Sequence, residues 1–158
     1  MAAMRNTWLP VYLLCAACGG MGGGNEVPGD LMVIAATPAA GTIAGVPFTL
    51  GMRSMNVSGG DLNIDLLTDV GSDCTKDETN GSYPFVILFT PATAGTYPLG
   101  TDQFVTFVDA PSDNLIVSRG VVQIDSVTQT AVSAGLHVFD PTFGEINGRF
   151  DGPVCFTN

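Results

Sequence analysis

The chain holds one histidine and four cysteines among 158 residues, a thin inventory for side-chain chemistry. His137 falls in an alternating stretch, with Ser133, Gly135 and Phe139 on its side and the apolar Val132, Ala134, Leu136 and Val138 on the other. A general base needs a partner within hydrogen-bond reach, and no neighbouring motif supplies one, so His137 reads as a surface residue. No serine sits in a G-x-S-x-G elbow. Zinc and copper sites take His and Cys in number, and few are present. Catalytic residues are therefore expected to be none, and no cofactor is implied.

Calcium is the one metal whose ligands the chain offers, because hard cations take several carboxylates on a bendable segment. Asp61, Asn63 and Asp65 open like an EF-hand loop. Leu66, however, stands where glycine must turn the chain, and Ser72 where the bidentate Glu belongs. Strand alternation accounts for that run. Asp69, Asp73, Asp77 and Glu78, in the polar stretch Val70 to Ser82, form the weak calcium candidate; a solvated acidic loop is the simpler reading. Carbohydrate recognition calls for exposed aromatic platforms. The only tryptophan, Trp8, lies at the N-terminus, and beyond Cys18 stand two tyrosines, Tyr83 and Tyr97, with phenylalanines mostly in core-like patterns. Tyr97, after Ala94-Gly95-Thr96, resembles the tyrosine corner of β-sandwiches, a structural device.

The one residue with a definite chemical expectation is Cys18. Arg5 provides a positive start, Trp8 to Leu14 an apolar run, and Ala16 and Ala17 the small residues a signal peptidase accepts. The apolar run is far short of the ~20 residues that span a bilayer. Ala16, Ala17 and Cys18 resemble the lipobox of bacterial lipoprotein signal peptides, with Cys15 in the place usually held by Leu. The resemblance implies removal of residues 1–17 and a mature N-terminus at Cys18 carrying diacylglycerol and an amide-linked acyl chain such as palmitate. Two or more chains make a stable anchor, where one is marginal. Gly19, rather than Asp, implies the outer membrane in that family. Residues 18–30, rich in glycine, then read as a flexible tether, and 31–158 as one domain.

Loss of Arg5 with the signal leaves four basic against fifteen acidic residues, a net charge near −11. Such a field repels phosphate backbones, so nucleic acid is excluded as a partner. Export also places Cys74 and Cys155 in an oxidising setting, where a disulfide between them is expected.

Val, Thr and Phe with scarce Lys favour pleated strands over helices. Leu31 to Ala36 reads as a buried first strand, and Val46 to Met55 as a second. Asp61 to Thr68 alternates, with Leu62, Ile64 and Leu66 facing inward. Tyr83 to Thr90 reads as a central strand, and Gln103 to Val108 as another. Gly120 to Val127 and Val132 to Phe139 form hairpin arms, and Glu145 to Asp151 the last strand, with Asn147-Gly148 inside it. Thr37-Pro38-Ala39-Ala40-Gly41-Thr42 echoes Thr90-Pro91-Ala92-Thr93-Ala94-Gly95-Thr96, read as one turn chemistry used twice. About eight strands separated by Gly, Pro and Asp turns predict an all-β, antiparallel two-sheet sandwich, with a small barrel as the alternative. The functional expectation is an exported, lipid-anchored cell-envelope protein acting as a structural or protein-binding module. Its partners are the membrane, through the lipid, and envelope proteins. A small-molecule or protein-ligand binder or inhibitor is the alternative, and an envelope hydrolase a weaker third.

Overall fold

A computed structural model describes residues 28–100, 103–111 and 113–157. The signal region 1–17, Cys18 and most of the tether lie outside these residues. Twelve strands form two open sheets packed face to face, a sandwich rather than a closed barrel. They are β1 (Ala40–Ile43), β2 (Val46–Thr49), β3 (Met52–Ser58), β4 (Asp61–Leu67), β5 (Phe85–Pro91) and β6 (Gly95–Pro98). The second half adds β7 (Val105–Ala110), β8 (Asp113–Val117), β9 (Gly120–Val127), β10 (Ala131–Asp140), β11 (Gly144–Pro153) and β12 (Phe156–Thr157). The first sheet runs β2-β1-β11-β10-β9-β6 and the second β12-β3-β4-β5-β7-β8. Every ladder is antiparallel except the two-residue pairing of β12 with β3.

Alternation decides the core. Leu62, Ile64 and Leu66 of β4 point inward against Val132, Ala134, Leu136 and Val138 of β10, all essentially inaccessible to water. The β9–β10 hairpin is as expected, and Asn147-Gly148 lies inside β11, paired with His137 and Leu136.

Three expected elements are corrected. Leu31 to Ala36 is no strand: a 3₁₀ turn, Gly29–Met32, runs into an extended segment paired to neither sheet, with only Leu31 fully buried. Val46 to Met55 is two strands, because the chain leaves one sheet for the other at Leu50-Gly51. A side chain at Gly51 would lie 2.0 Å from the Asp69 carbonyl oxygen, so only glycine allows the crossing. The stretch after Thr90-Pro91, expected to turn, becomes β6, which joins the first sheet after β5 has run in the second. Together with the short β1, β8 and β12, these changes take the expected eight strands to twelve among the described residues.

A smaller apolar cluster, Met52, Leu67, Phe85 and Val108 with Ile87 beside it, lies on the outer face of the second sheet. Gly71 and Gly81 of the acidic loop approach Met52 and Leu67 of this cluster.

Candidate functional site

Each outer face of the sandwich gathers polar and aromatic side chains. On the first sheet, the segment Pro28–Ala36 lies over β10 and β11 as a strap. The Ala35 N–H donates to Asn147 Oδ1 at 2.8 Å, and the Val33 carbonyl oxygen accepts from Asn147 Nδ2 at 3.4 Å. Ile34 packs so closely on Gly135 that a Cβ there would lie 2.9 Å from its Cγ2. His137, on the same outer face, is therefore only 7% exposed, which corrects its reading as a surface residue. Alternation placed its side chain on the correct side of the strand. What covers that side comes from a hundred residues earlier in the chain.

The imidazole spans two acceptors. Nδ1 lies 2.8 Å from the Val33 carbonyl oxygen and Nε2 2.8 Å from Glu145 Oε1. A carbonyl oxygen only accepts, and an ionised carboxylate only accepts, so both bonds form together when the ring carries both protons. His137 with Glu145 is thus a polar latch between β10, β11 and the strap. Beside it is an open depression of about 180 Å³, lined by Asp30, Leu31, Arg119, His137, Phe139 and Glu145, with Pro28 at its rim. The Arg119 guanidinium sits 5.6 Å from the Phe139 ring centroid, in cation–π range. Both ring nitrogens are engaged, so the imidazole ties the strap to β10 and β11.

On the second sheet, the loop between β4 and β5 carries the four calcium-candidate residues; the carboxylates of Asp69, Asp73 and Asp77 each have their own donors, and Glu78 bonds through its backbone. Asp69 accepts from Lys76 Nζ and from the Ser82 N–H and hydroxyl, at 2.6 and 2.8 Å for the serine. These donors, the lysine first, lower its carboxyl to about 2. Asp73 accepts from the Arg53 N–H at 2.8 Å and pairs with its guanidinium at 3.4 Å. Asp77 caps the Thr79 N–H at 3.0 Å. Glu78 donates its N–H to Asp65 Oδ2 at 3.4 Å. Among the described residues no three metal-capable side chains come together, so these four do not form the oxygen cage the sequence suggested.

Cys74 and Cys155 are disulfide-bonded, with Cα atoms 5.3 Å apart and a sequence separation of 81. The Cys74 N–H donates to the Arg53 carbonyl and the Cys155 N–H to that of Met55. Loop and C-terminal segment therefore clip side by side onto the free edge of β3, with the bridge locking the pair. Under this cover lies Asp65, 2% exposed, with Oδ1 unpartnered. Burial, then the nearby Glu78 carboxylate, pushes its carboxyl up to about 7. The Asp61/Asn63/Asp65 alternation was legible in the sequence; the burial of one of its carboxylates was not.

Past the loop, the same face is open. Phe89 (53% exposed), Phe104 (42%) and Ile116 (58%) stand on it, so Phe89 and Phe104 are exceptions to the mostly core placement of the phenylalanines. Phe48, Phe85, Phe107 and Phe150 are indeed buried, while Phe156 is exposed as well. The register sets Ile87 opposite Thr106 and Thr106 opposite Ile116, one row across β5, β7 and β8. Phe89 and Phe104 wall a shallow groove of about 200 Å³ with Asp61, Pro91 and Gln103. Tyr97 is accounted for structurally: its hydroxyl donates to the Thr93 carbonyl at 2.9 Å, as a tyrosine corner does.

The geometry defines a β-sandwich with one strapped outer face and one partly open aromatic face. No protein-family model matches the chain, and neither a curated protein nor a solved structure is significantly similar to it.

Proposed function

We propose that this is an exported, lipid-anchored cell-envelope protein whose sandwich is a protein-binding module, held at the outer membrane through Cys18. The observation that carries the reading is the Cys74–Cys155 bridge. Structural disulfides persist in oxidising compartments, so the bridge fits the export implied by residues 1–17. The open apolar face on β5, β7 and β8 fits a binding module better than a purely structural one, because folded monomers seldom leave large side chains clustered in water. The sandwich leaves Cys18 and the glycine-rich tether to set its distance from the bilayer. A small-molecule ligand is the second reading, favoured by the depression beside Arg119 and His137.

Metabolic labelling with a radioactive fatty acid tests the anchor. The wild-type chain should take up label and sediment with membranes; Cys18→Ser should do neither. Label retained in Cys18→Ser would reject the lipid at this residue.

A further inference from the structure

The four sheet edges are protected unequally. An edge strand presents unpaired N–H and C=O groups, and proteins blunt it with proline, shortness or charged side chains, lysine above all. In the first sheet β2 carries Pro47 and β6 carries Pro98, each removing a donor. In the second, β12 is two residues long and is pinned beside the disulfide. The remaining edge, β8, runs for five residues, Asp113–Val117, with no proline and no lysine.

Among the described residues no strand pairs with the outer side of β8, and that edge borders the open apolar face. Ile116 stands on β8 at the end of the Ile87–Thr106–Ile116 row, and Phe104 precedes β7 on the same side. A strand added outside β8 would place alternate side chains over this row. The surroundings are acidic, with Asp113 exposed at the start of β8 and the half-buried Asp109 near the end of β7. No described cation answers them: Arg53, Lys76 and Arg149 are paired with Asp73, Asp69 and Asp125, and Arg119 stacks on Phe139.

We infer that β8 and the apolar row beside it are a docking surface for an extended segment of a partner protein, alternating apolar and basic residues, which adds to the second sheet as a further strand. Backbone pairing along β8 supplies register, Ile116 and Phe104 take the apolar side chains, and Asp109 and Asp113 meet the basic ones. The inference rests on the protein-binding reading and deepens it by naming the edge and the partner chemistry.

The test uses the full-length protein in detergent and a fluorescently labelled peptide of four Lys-Val repeats, followed by anisotropy. The peptide should bind, weaken as salt rises, and protect the β8 amides from hydrogen exchange while leaving β2 and β6 unchanged. A Glu-Val peptide of equal length should fail to bind. Ile116→Lys and Asp113→Lys, both at exposed positions, should each lower affinity about tenfold or more, whereas Val70→Lys, on the acidic loop, should not. Equal binding of the Glu-Val peptide, indifference to Ile116→Lys, or protection confined to another edge would overturn the inference. So would pairing of β8 with β8 in a homodimer, seen by sedimentation and lost in Ile116→Lys. The anchor is judged separately: a failed fatty-acid label leaves this result standing, and a partner crosslinked in intact envelopes through a different face sinks the site but keeps the binding module.

Discussion

The two outer faces of the sandwich solve the same problem by different means. Both carry side chains that cannot be left bare; one takes its cover from a distant part of the chain, the other from the loop that follows β4. The first sheet is covered by a strap held with hydrogen bonds from Asn147 and His137 and by the contact of Ile34 on Gly135. The second is covered over half its width by an acidic loop that is covalently bridged to the C-terminal segment. The strap closes over a polar latch in which each imidazole nitrogen has an oxygen acceptor 2.8 Å away. The loop closes over Asp65, whose second oxygen is left unmatched. A cover made of complementary polar contacts can do without a crosslink; one that buries an unpaired carboxyl is opposed by that burial and gains most from being tied down.

Breaking the covalent cover should have the largest effect. The double substitution Cys74→Ala/Cys155→Ala removes the constraint on a loop spanning 81 residues, worth about 4–5 kcal/mol in the chain-entropy model. Denaturant unfolding should show that loss in the midpoint. It should also expose the cluster around Met52 and Phe85 to a hydrophobic dye, while the amides under the strap keep their protection. Equal loosening of both faces would show that they are not independent covers.

Asp65 sharpens the contrast through pH. Its carboxyl sits near 7 in the folded chain against an ordinary 3.8, so the folded state holds the proton more tightly than the unfolded one. The stabilising effect is complete below the unfolded value and is lost as pH rises through about 7. The slope approaches 1.4 kcal/mol per pH unit, to a limit of about 4 kcal/mol across the window. Stability measured from pH 4 to 8 should fall accordingly in the wild type. Asp65→Asn should flatten that fall and be the more stable protein at pH 8. A wild-type profile that rises over this range would contradict the burial of an unpaired carboxyl.

The smallest change is expected at the latch. His137→Ala removes two hydrogen bonds from a buried position and leaves Glu145 and the Val33 carbonyl to water, costing about 1–3 kcal/mol. Exchange of the Ala35 amide should accelerate, whereas amides in the acidic loop should not respond. Unchanged exchange at Ala35 would mean that Asn147 and Ile34 hold the strap without the imidazole.

Much of this architecture is written locally. Leu62, Ile64 and Leu66, or Val132 through Val138, alternate with period two, and a pleated strand has no other way to bury them. Cys74 and Cys155 are the only cysteines beyond the N-terminal region, so the bridge was legible once export was read. The strand count was not, since the sheet change at Leu50-Gly51 depends on how closely the backbone passes Asp69.

The sequence by itself determined the class of fold, the inward face of each long strand and the pairing of two cysteines. Tertiary structure decided what lies over the outward faces. Alternation specifies that Asp65, Phe89 and His137 point away from the core, but pointing away is not the same as meeting water. Whether a residue there ends buried like Asp65, latched like His137 or bare like Phe89 depends on which other segment folds back over it, and a period-two pattern carries no information about a contact outside its own strand.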